Sequence, residues 1–332
     1  MTPPPPDRSF LLTEQRNPRT MRLHALSVAD CVRCIQEEDQ AVLKALEAAR
    51  PALTAFIEAA EPRFAEGGRL IYLGAGTSGR LGVLDASEAP PTFQVEPGRI
   101  VGLIAGGDGA LRRSSEGRED EPLGAATELD ALNLAPNDTV LGIAAGGTTP
   151  YVLGGVGYAK RVRPEALTGL LVCSPIDRPP GVDHLLVVAV GPEVLTGSTR
   201  MKAGTATKLA LNTISTTLMI RSGRVYENLM VDLRATNAKL RDRAARIVAT
   251  LTGLSRDGSF EWLERAGGSV KVAVVMQRLG LDREAAERRL REAHGRLDAV
   301  LEADAEAPTN ADGHGRTRPD GWTRTEGFRP SD

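Results

Sequence analysis

The sequence predicts an α/β protein with a doubly wound parallel sheet of about five strands, preceded by N-terminal helices and followed by a C-terminal helical bundle. The main observation is a series of short apolar runs, most of them separated by helical patterns, at residues 70–73, 100–105, 139–144, 167–173 and 185–190. Runs that are apolar on both faces are typical of parallel strands buried between two helical layers.

Glycines follow three of these runs, and they predict where a ligand binds. Gly74, Gly106 and Gly146 each stand at or just after the end of an apolar run. In doubly wound sheets, ligands bind in a crevice beyond the carboxyl ends of the strands. We therefore expect these three strand ends to meet at one crevice.

Segment boundaries follow from the prolines, glycines and helical periodicity. The proline run predicts a flexible arm over residues 1–11, because proline fits neither a helix interior nor a central strand. N-terminal helices are predicted over 12–66, one beginning near Ser27 and ending before Pro51, and the next covering 52–64. The sheet domain then covers 67–222 and a helical domain covers 223–302, with breaks at glycines that include Gly258. A disordered tail is predicted over 303–332.

Composition and charge exclude several classes of function. The chain has 332 residues, 41 basic and 43 acidic side chains, and a formal net charge of −2. Charges of both signs are mixed along the chain, so we expect no nucleic-acid partner. No apolar run approaches the ~20 residues that cross a bilayer, and the N-terminus lacks a signal-peptide pattern. We expect a cytoplasmic protein with no membrane association.

Cysteines and histidines give no pattern of a metal or redox site. Cys31 and Cys34 form one C-x-x-C pair within a helical pattern, without a second pair or a nearby histidine. Two small residues on one helix is the favoured interpretation. The four histidines are scattered, so we predict no metal and no cofactor. Three cysteines are typical of a reducing compartment rather than of a disulfide framework.

The glycine-rich turn after the first run is the strongest local motif. It reads Gly74-Ala-Gly76-Thr77-Ser78-Gly79 and is followed by apolar residues at helical spacing. Gly76, Thr77 and Ser78 are predicted to bind phosphate through backbone N–H groups and hydroxyls at a helix start. The same glycines match a dinucleotide fingerprint, but the acidic residue that would clamp a ribose after the second strand is missing. We favour a sugar phosphate over NAD as the ligand. The remaining alternative is a turn with a purely structural role.

Further hydroxyl groups are predicted to lie on the rim of the same crevice. Ser198 and Thr199 precede a helix from 201 to about 221, and Lys202 is a candidate charge contact at its start. Thr149 follows the third run. An ordinary helix cap remains the alternative for any one of these hydroxyls.

Longer motifs show a resemblance to a known family. Residues 74–82, Gly-Ala-Gly-Thr-Ser-Gly-Arg-Leu-Gly, run directly into Asp-Ala-Ser-Glu-Ala-Pro-Pro-Thr-Phe at 85–93, and further matching segments include Thr-Glu-Gln-Arg-Asn-Pro at 13–18. The chain resembles the N-acetylmuramic acid 6-phosphate etherases over about residues 13–302. These enzymes have the sugar isomerase (SIS) fold and are related to the glucokinase regulatory protein. The resemblance implies an SIS-type sheet domain, a homodimer and sites that draw residues from both subunits.

Carboxylates are the acid–base groups that remain once metals, cysteine and histidine nucleophiles and NAD are set aside. The candidates are Asp85, Glu88, Glu116, Glu119 and Glu193. In a ring-opened sugar phosphate, an aldehyde acidifies the C2 proton, and a substituent on C3 can leave by elimination if one carboxylate removes that proton and another protonates the leaving oxygen.

The resemblance implies which reaction and which residues. In these etherases the C3 substituent is D-lactate in ether linkage, and water then adds to give N-acetylglucosamine 6-phosphate. The family's acid, which later activates water, corresponds to Glu88 in Asp-Ala-Ser-Glu. Its second glutamate corresponds to Glu119 in Glu-Gly-Arg-Glu-Asp, which we interpret as the base at C2.

One segment departs from the family pattern and keeps two alternatives open. Where the family has Ala-Ala-Ser-Gly-Arg-Thr-Pro-Tyr, this chain reads Ala-Ala-Gly-Gly-Thr-Thr-Pro-Tyr at 144–151, so a hydroxyl and a cation are missing. Losing one phosphate hydrogen bond costs about 1–3 kcal/mol, which Thr148 and Thr149 could offset in part. A regulatory phosphosugar-binding module is therefore the first alternative to an etherase, and an NAD-dependent oxidoreductase is the second.

Overall fold

A five-stranded parallel sheet forms the centre of the molecule. The structure, a computed structural model, describes residues 7–233 and 238–306. The strands are β1 (Leu70–Gly74), β2 (Ile100–Ile104), β3 (Thr139–Ile143), β4 (Leu167–Val172) and β5 (His184–Val187). They lie in the order β2-β1-β3-β4-β5, and each pair is parallel. The predicted α/β fold and its parallel sheet are confirmed.

Helices cover both faces of the sheet. They are α1 (Val28–Ala65), α2 (Gly76–Phe93), α3 (Ala126–Leu132), α4 (Pro150–Val162) and α5 (Lys202–Arg221). Leu70 and Tyr72 of β1 point into a core shared with α1, α2 and α5, whereas Ile71 and Leu73 point into a second core shared with α3 and α4. This alternation is the pleat of a strand buried on both sides.

The strand order reverses at β1, which fixes the position of the crevice. From β1 the chain crosses to β2 on one side of the sheet and then returns to β3 on the other side. A reversal of this kind leaves a gap between the loops that follow the two central strands. The turn at Gly74–Gly76 and the loop at 144–149 flank that gap.

Helix α1 corrects the prediction of two N-terminal helices. It is one helix of 38 residues with Pro51 and Pro62 inside it. A proline in a helix interior costs ~3 kcal/mol or more, but α1 has buried side chains on both sides of Pro51. Phe56 is fully buried, and its ring packs so close to β4 that a Cβ on Gly169 would lie 2.7 Å from Phe56 Cε2. Tertiary packing of one continuous face therefore keeps the helix intact. Before α1 the chain forms short 3₁₀ turns at Leu12–Glu14, Pro18–Thr20 and Leu23–Ala25.

The C-terminal part is helical, with its own apolar core. A two-stranded antiparallel ribbon comes first, β6 (Val225–Tyr226) and β7 (Leu229–Met230), which the sequence did not predict. The helices are α6 (Ala238–Thr252), α7 (Arg256–Arg265), α8 (Val270–Leu279), α9 (Arg283–Glu292) and α10 (Leu297–Glu306). The predicted break at Gly258 is wrong: Gly258 lies inside α7, and its N–H is capped by Ser255 Oγ at 3.1 Å.

Two terminal predictions extend past the described chain. Residues 1–6 of the predicted arm and 307–332 of the predicted tail lie outside the described residues, while 303–306 belong to α10. The domain boundaries stay predictions. Among the helices that the structure describes, none combines the length and the apolar character needed to cross a bilayer.

Candidate functional site

The glycine-rich turn joins β1 to α2 through close backbone packing. Gly76 has φ +53°, a left-handed conformation that favours glycine. A Cβ on Gly74 would lie 2.6 Å from the Gly79 nitrogen, and a Cβ on Gly79 would lie 2.8 Å from the Gly74 oxygen. Ala75 holds the N-cap position without a side-chain cap. The positive end of an 18-residue helix is therefore directed at the crevice, beside the half-buried side chains of Thr77 and Ser78.

The second strand gives no support for a dinucleotide site. A ribose clamp needs an acidic residue at the end of that strand. Strand β2 ends at Ile104 and continues into Ala105 and Gly106. The turn after β1 therefore lacks the partner that NAD binding requires.

Glu119 lies at the start of α2. Its Oε1 is 3.1 Å from the position that a Cβ on Gly76 would occupy. Its backbone oxygen accepts a hydrogen bond of 3.0 Å from the N–H of Tyr151, in the first turn of α4. Glu119 is thus fixed between the first turns of two helices, on the two sides of the gap in the sheet. A carboxylate here faces any group bound at the turn.

Glu88 lies near the opposite end of α2 and is exposed. Twelve residues separate it from Gly76, which is about 18 Å along a helix axis. That distance is longer than a glutamate side chain can span. Within one chain, the structure does not bring Glu88 and Glu119 together.

Two other candidate carboxylates have structural partners. Asp85 is buried, accepts a hydrogen bond from the Tyr72 hydroxyl (2.8 Å) and pairs with Lys208 at 3.5 Å. Glu193 is fully buried and accepts the backbone N–H groups of Lys202 (3.0 Å) and Ala203 (2.9 Å). Burial raises the pKa of Glu193, although the two hydrogen bonds act in the opposite direction. The side chain of Glu116 lies outside the described part of the chain.

The Glu193 cap corrects the prediction of an anion-binding end at α5. Its carboxylate already occupies the first two N–H groups of that helix. The preceding loop still reaches the crevice: a Cβ on Gly204 would lie 3.4 Å from both Thr77 Cγ2 and the Thr199 oxygen. Ser198 and Thr199 are half-buried, and Thr77 and Thr199 lie on one rim.

Lys202 does not lie on that rim, contrary to the prediction. Its ammonium pairs with Glu38 Oε2 at 2.8 Å, and the side chain is 3% exposed. Glu38 also accepts a 2.7 Å hydrogen bond from Asn17. Burial alone would raise the pKa of Glu38, but the hydrogen bonds from Lys202 and Asn17 lower it overall. The pair joins α1, α5 and the N-terminal segment.

Residues 11–20, here called the N-terminal strap, cross the edge of the crevice. Thr13 accepts a backbone hydrogen bond from Gly197 (3.1 Å) and donates its own N–H to Ser174 Oγ (3.3 Å). Glu14 Oε2 lies 3.3 Å from the position of a Cβ on Gly197. Sequence reasoning missed this placement, although the matching Thr-Glu-Gln-Arg-Asn-Pro segment lies in the strap.

Comparison with known proteins gives the family. The chain is 46% identical over 294 residues to N-acetylmuramic acid 6-phosphate etherase 1 of Bacillus licheniformis, covering 88% of this chain and 95% of the relative. It is 50% identical over 301 residues to N-acetylmuramic acid 6-phosphate etherase of Prochlorococcus marinus, covering 90% and 94%. The chain belongs to the N-acetylmuramic acid 6-phosphate etherase family. A family model, glucokinase regulatory protein N-terminal SIS domain, matches residues 52–160 of this etherase-family chain.

Two phosphoheptose isomerases are among the solved structures that align with this chain. The one from Neisseria gonorrhoeae is 16% identical with a TM-score of 0.41, covering 58% of this chain and 98% of its own. The one from Francisella tularensis is 18% identical with a TM-score of 0.41, covering 59% and 100%.

The loop after β3 carries the departure from the etherase pattern. A Cβ on Gly146 would lie 3.2 Å from Leu11 Cδ1, 3.6 Å from Thr13 Oγ1 and 3.8 Å from Thr148 Oγ1. Thr149 is the N-cap residue of α4 and makes no side-chain cap there. The strap therefore borders the space in which the family's serine would stand. The hydroxyls of Thr13 in the strap and Thr148 in the loop lie beside that space.

Proposed function

We propose that this chain cleaves the D-lactyl ether of N-acetylmuramic acid 6-phosphate, giving N-acetylglucosamine 6-phosphate and D-lactate. The observation that carries the proposal is the carboxylate of Glu119 at the glycine-rich start of α2, in a chain 46–50% identical to curated etherases. A phosphate-binding helix end and a base at the same place are what this elimination needs.

Gly76, Thr77 and Ser78 are proposed to bind the phosphate group. The start of α2, where Ala75 gives no side-chain cap, supports this role, as does the left-handed Gly76, which lets the backbone approach an anion closely. Ser198, Thr199 and Thr149 are proposed to add hydroxyl contacts from the rim. Lys202 is left out because its ammonium is already paired.

Glu119 is proposed to remove the C2 proton of the ring-opened sugar. The C2–H and C3–O bonds break, a C2–C3 double bond forms, and the ether oxygen takes a proton as D-lactate leaves. Water then adds its hydroxyl to C3 while C2 regains a proton. Proton transfer by a positioned side chain contributes about 10²–10⁴-fold to rates of this kind.

Glu88 is proposed to protonate the leaving oxygen from a second copy of the chain. The motif match assigns this role, yet Glu88 is about 18 Å along α2 from the turn in its own chain and faces solvent. Leu84, one turn earlier, is 41% exposed, and Leu43 of α1 is 67% exposed. We therefore propose a homodimer in which the outer surface of α1, α2 and α5 packs on a partner.

A groove between α1 and α5 supports that interface. It has a volume of about 740 Å³, and its apolar lining comes from Leu43, Leu46, Leu53 and Ile57. An exposed apolar groove is typical of an interaction surface. A second copy is its proposed occupant because Glu88 lies too far along α2 to reach the turn beside Glu119 in its own chain. The free cysteines at 31, 34 and 173 support the further proposal of a cytoplasmic location.

The test is lactate release from N-acetylmuramic acid 6-phosphate in deuterated water. We expect D-lactate and N-acetylglucosamine 6-phosphate in equal amounts, with deuterium at C2 of the product. Direct displacement at the ether without elimination would leave C2 undeuterated. Binding of the phosphosugar without lactate would instead favour a regulatory protein and contradict the proposal.

A further inference from the structure

A polar cavity lies in the seam between the sheet domain and the C-terminal helices, and none of its lining residues belongs to the glycine-rich turn. Its volume is about 500 Å³. It is lined by the end of α1, the residue before β2, the end of α5 and the segment between α9 and α10. Four arginines line it: Arg99, Arg221, Arg224 and Arg296. We call it the seam pocket.

Three of the four arginines are paired with carboxylates. Arg221 pairs with Glu61 at 2.8 Å, Arg224 pairs with Asp232 at 3.2 Å, and Arg296 pairs with Asp298. The other acid of the lining, Glu66, accepts a 3.0 Å hydrogen bond from Asn137. In the described ranges, 7–233 and 238–306, Arg99 has no carboxylate partner of this kind.

Arg99 also has an unmet hydrogen-bond donor. Its Nη2 donates to the Phe64 oxygen at 2.6 Å, and its guanidinium lies over the Phe64 ring at 4.3 Å. Its Nε is buried and has no partner. A buried donor left unsatisfied costs free energy comparable to a lost hydrogen bond.

Nearby charges also act on Arg99. Burial lowers its pKa, and the neighbouring positive charge of Arg224 lowers it further, while the carboxylates of Asp138 and Glu96 raise it by smaller amounts. An anion bound in the pocket would offset this repulsion. Guanidinium groups bind phosphate oxygens in bidentate geometry.

An alternative is that the arginines serve only to cap helix ends. Arg99 does cap α1 through Phe64, and Arg224 Nη1 donates to the oxygens of Phe93 and Gln94 at the end of α2. These contacts use few of the five donors on each guanidinium.

We propose that the seam pocket binds a phosphate group, free or esterified, with Arg99 as its principal ligand. Arg99 belongs to the sheet domain, whereas Arg296 belongs to the C-terminal helices, so the bound anion would tie the two parts together. This proposal does not depend on the proposed etherase activity.

Ser222 offers a matched pair of variants. It lines the pocket, is half-buried and lies just after α5. Ser222→Glu adds a carboxylate to the pocket, and Ser222→Gln adds the same bulk without charge. Equilibrium dialysis of the full chain with radiolabelled inorganic phosphate, at constant ionic strength, counts the ions bound per chain.

We expect Ser222→Glu to bind one phosphate fewer per chain than Ser222→Gln. If binding is not lost entirely, we expect the dissociation constant for that phosphate to rise at least about tenfold. Arg99→Gln should lose the same ion while circular dichroism shows a folded chain. Any phosphate bound at the crevice is common to all variants, so failure of the etherase proposal leaves this difference intact. Equal phosphate binding by the two Ser222 variants would overturn the proposal. Repeating the comparison with N-acetylglucosamine 6-phosphate distinguishes an esterified ligand from the free ion.

Discussion

Helices α2 and α5 both begin at the crevice with glycine and hydroxyl residues, but their first turns differ. At α2 the N-cap is Ala75, which provides no side-chain cap, and Glu119 lies beside Gly76. At α5 the carboxylate of Glu193 accepts the first two N–H groups from inside the protein. One helix start is available to a ligand, and the other is part of the core.

The difference shows that a hydroxyl-rich helix start is not sufficient for anion binding. Anion binding also requires that no buried group already accepts hydrogen bonds from the first N–H groups of the helix. Glutamates occur at both helix starts, yet one is half-buried in the crevice and the other is 0% exposed. We expect the first to act in chemistry and the second to act in stability.

The largest effect is expected when each of these two glutamates is replaced by glutamine. Glu119→Gln should reduce lactate release by about a hundredfold or more, with little change in the free energy of unfolding. Glu193→Gln should lower that free energy by about 1–3 kcal/mol, because an amide cannot accept both N–H groups. Urea unfolding and lactate assays on both variants test the contrast.

Glu165→Gln is the control, since Glu165 is exposed and lies before β4. It should leave both quantities unchanged. Equal losses of activity in the Glu119 and Glu193 variants, at equal stability, would contradict the division of roles.

The buried pair at α5 should give the next largest effect. Lys202→Met leaves the buried Glu38 with only the exposed Arg19, at 3.2 Å, as a cation partner, at a cost of about 3 kcal/mol in the free energy of unfolding. The double variant with Glu38→Gln should recover part of that loss. A raised KM for the phosphosugar in Lys202→Met, with unchanged stability, would instead restore Lys202 to the phosphate site.

The altered loop after β3 should respond to restoration of the family's hydroxyl. In Gly146→Ser, the new Cβ meets the flexible end of Leu11 at 3.2 Å, so we expect a stability cost of about 1 kcal/mol and an unchanged or lower KM. Gly147→Ser is the comparison: φ is +75° and a Cβ would lie 2.6 Å from Ile176 Cδ1. It should be the more destabilising change by urea unfolding, and the reverse order would show that the strap does not border this space as described.

The smallest effect is a pH dependence from Glu193. Its pKa is raised by burial above the ordinary value of 4.5, so the folded state takes up a proton before the unfolded state as pH falls. Relative to Glu193→Gln, the wild type should therefore gain stability as pH falls from neutral towards 4.5. Unfolding of both proteins across that range tests the sign. A relative loss of stability with falling pH would contradict it.

The sheet could be predicted from the sequence because each strand is a short apolar run between glycines and helices. Helix α1 could not, since the two prolines are local stop signals and the packing of Phe56 on β4 involves residues more than a hundred positions apart. Local sequence patterns predict the bounds of helices and strands only where contacts between distant residues do not override them.

The candidate site was predictable at the motif level and less so in its connections. The turn at Gly76 has a local pattern, and motif resemblance pointed to Glu119 and Glu88. The cap from Glu193, the pairing of Lys202 with Glu38 and the path of the strap depend on where separate segments meet. Nothing in the spacing of these residues indicated those contacts.

The most direct test of the account is to mix two inactive variants, Glu88→Gln and Glu119→Gln, under conditions that exchange subunits. If Glu88 of one chain serves the crevice of its partner, mixed dimers contain one intact site, and lactate release should recover to about a quarter of the wild-type rate. If both glutamates act within one chain, no mixture contains an intact site. Activity that stays at the level of the separate variants would contradict a site shared between two copies.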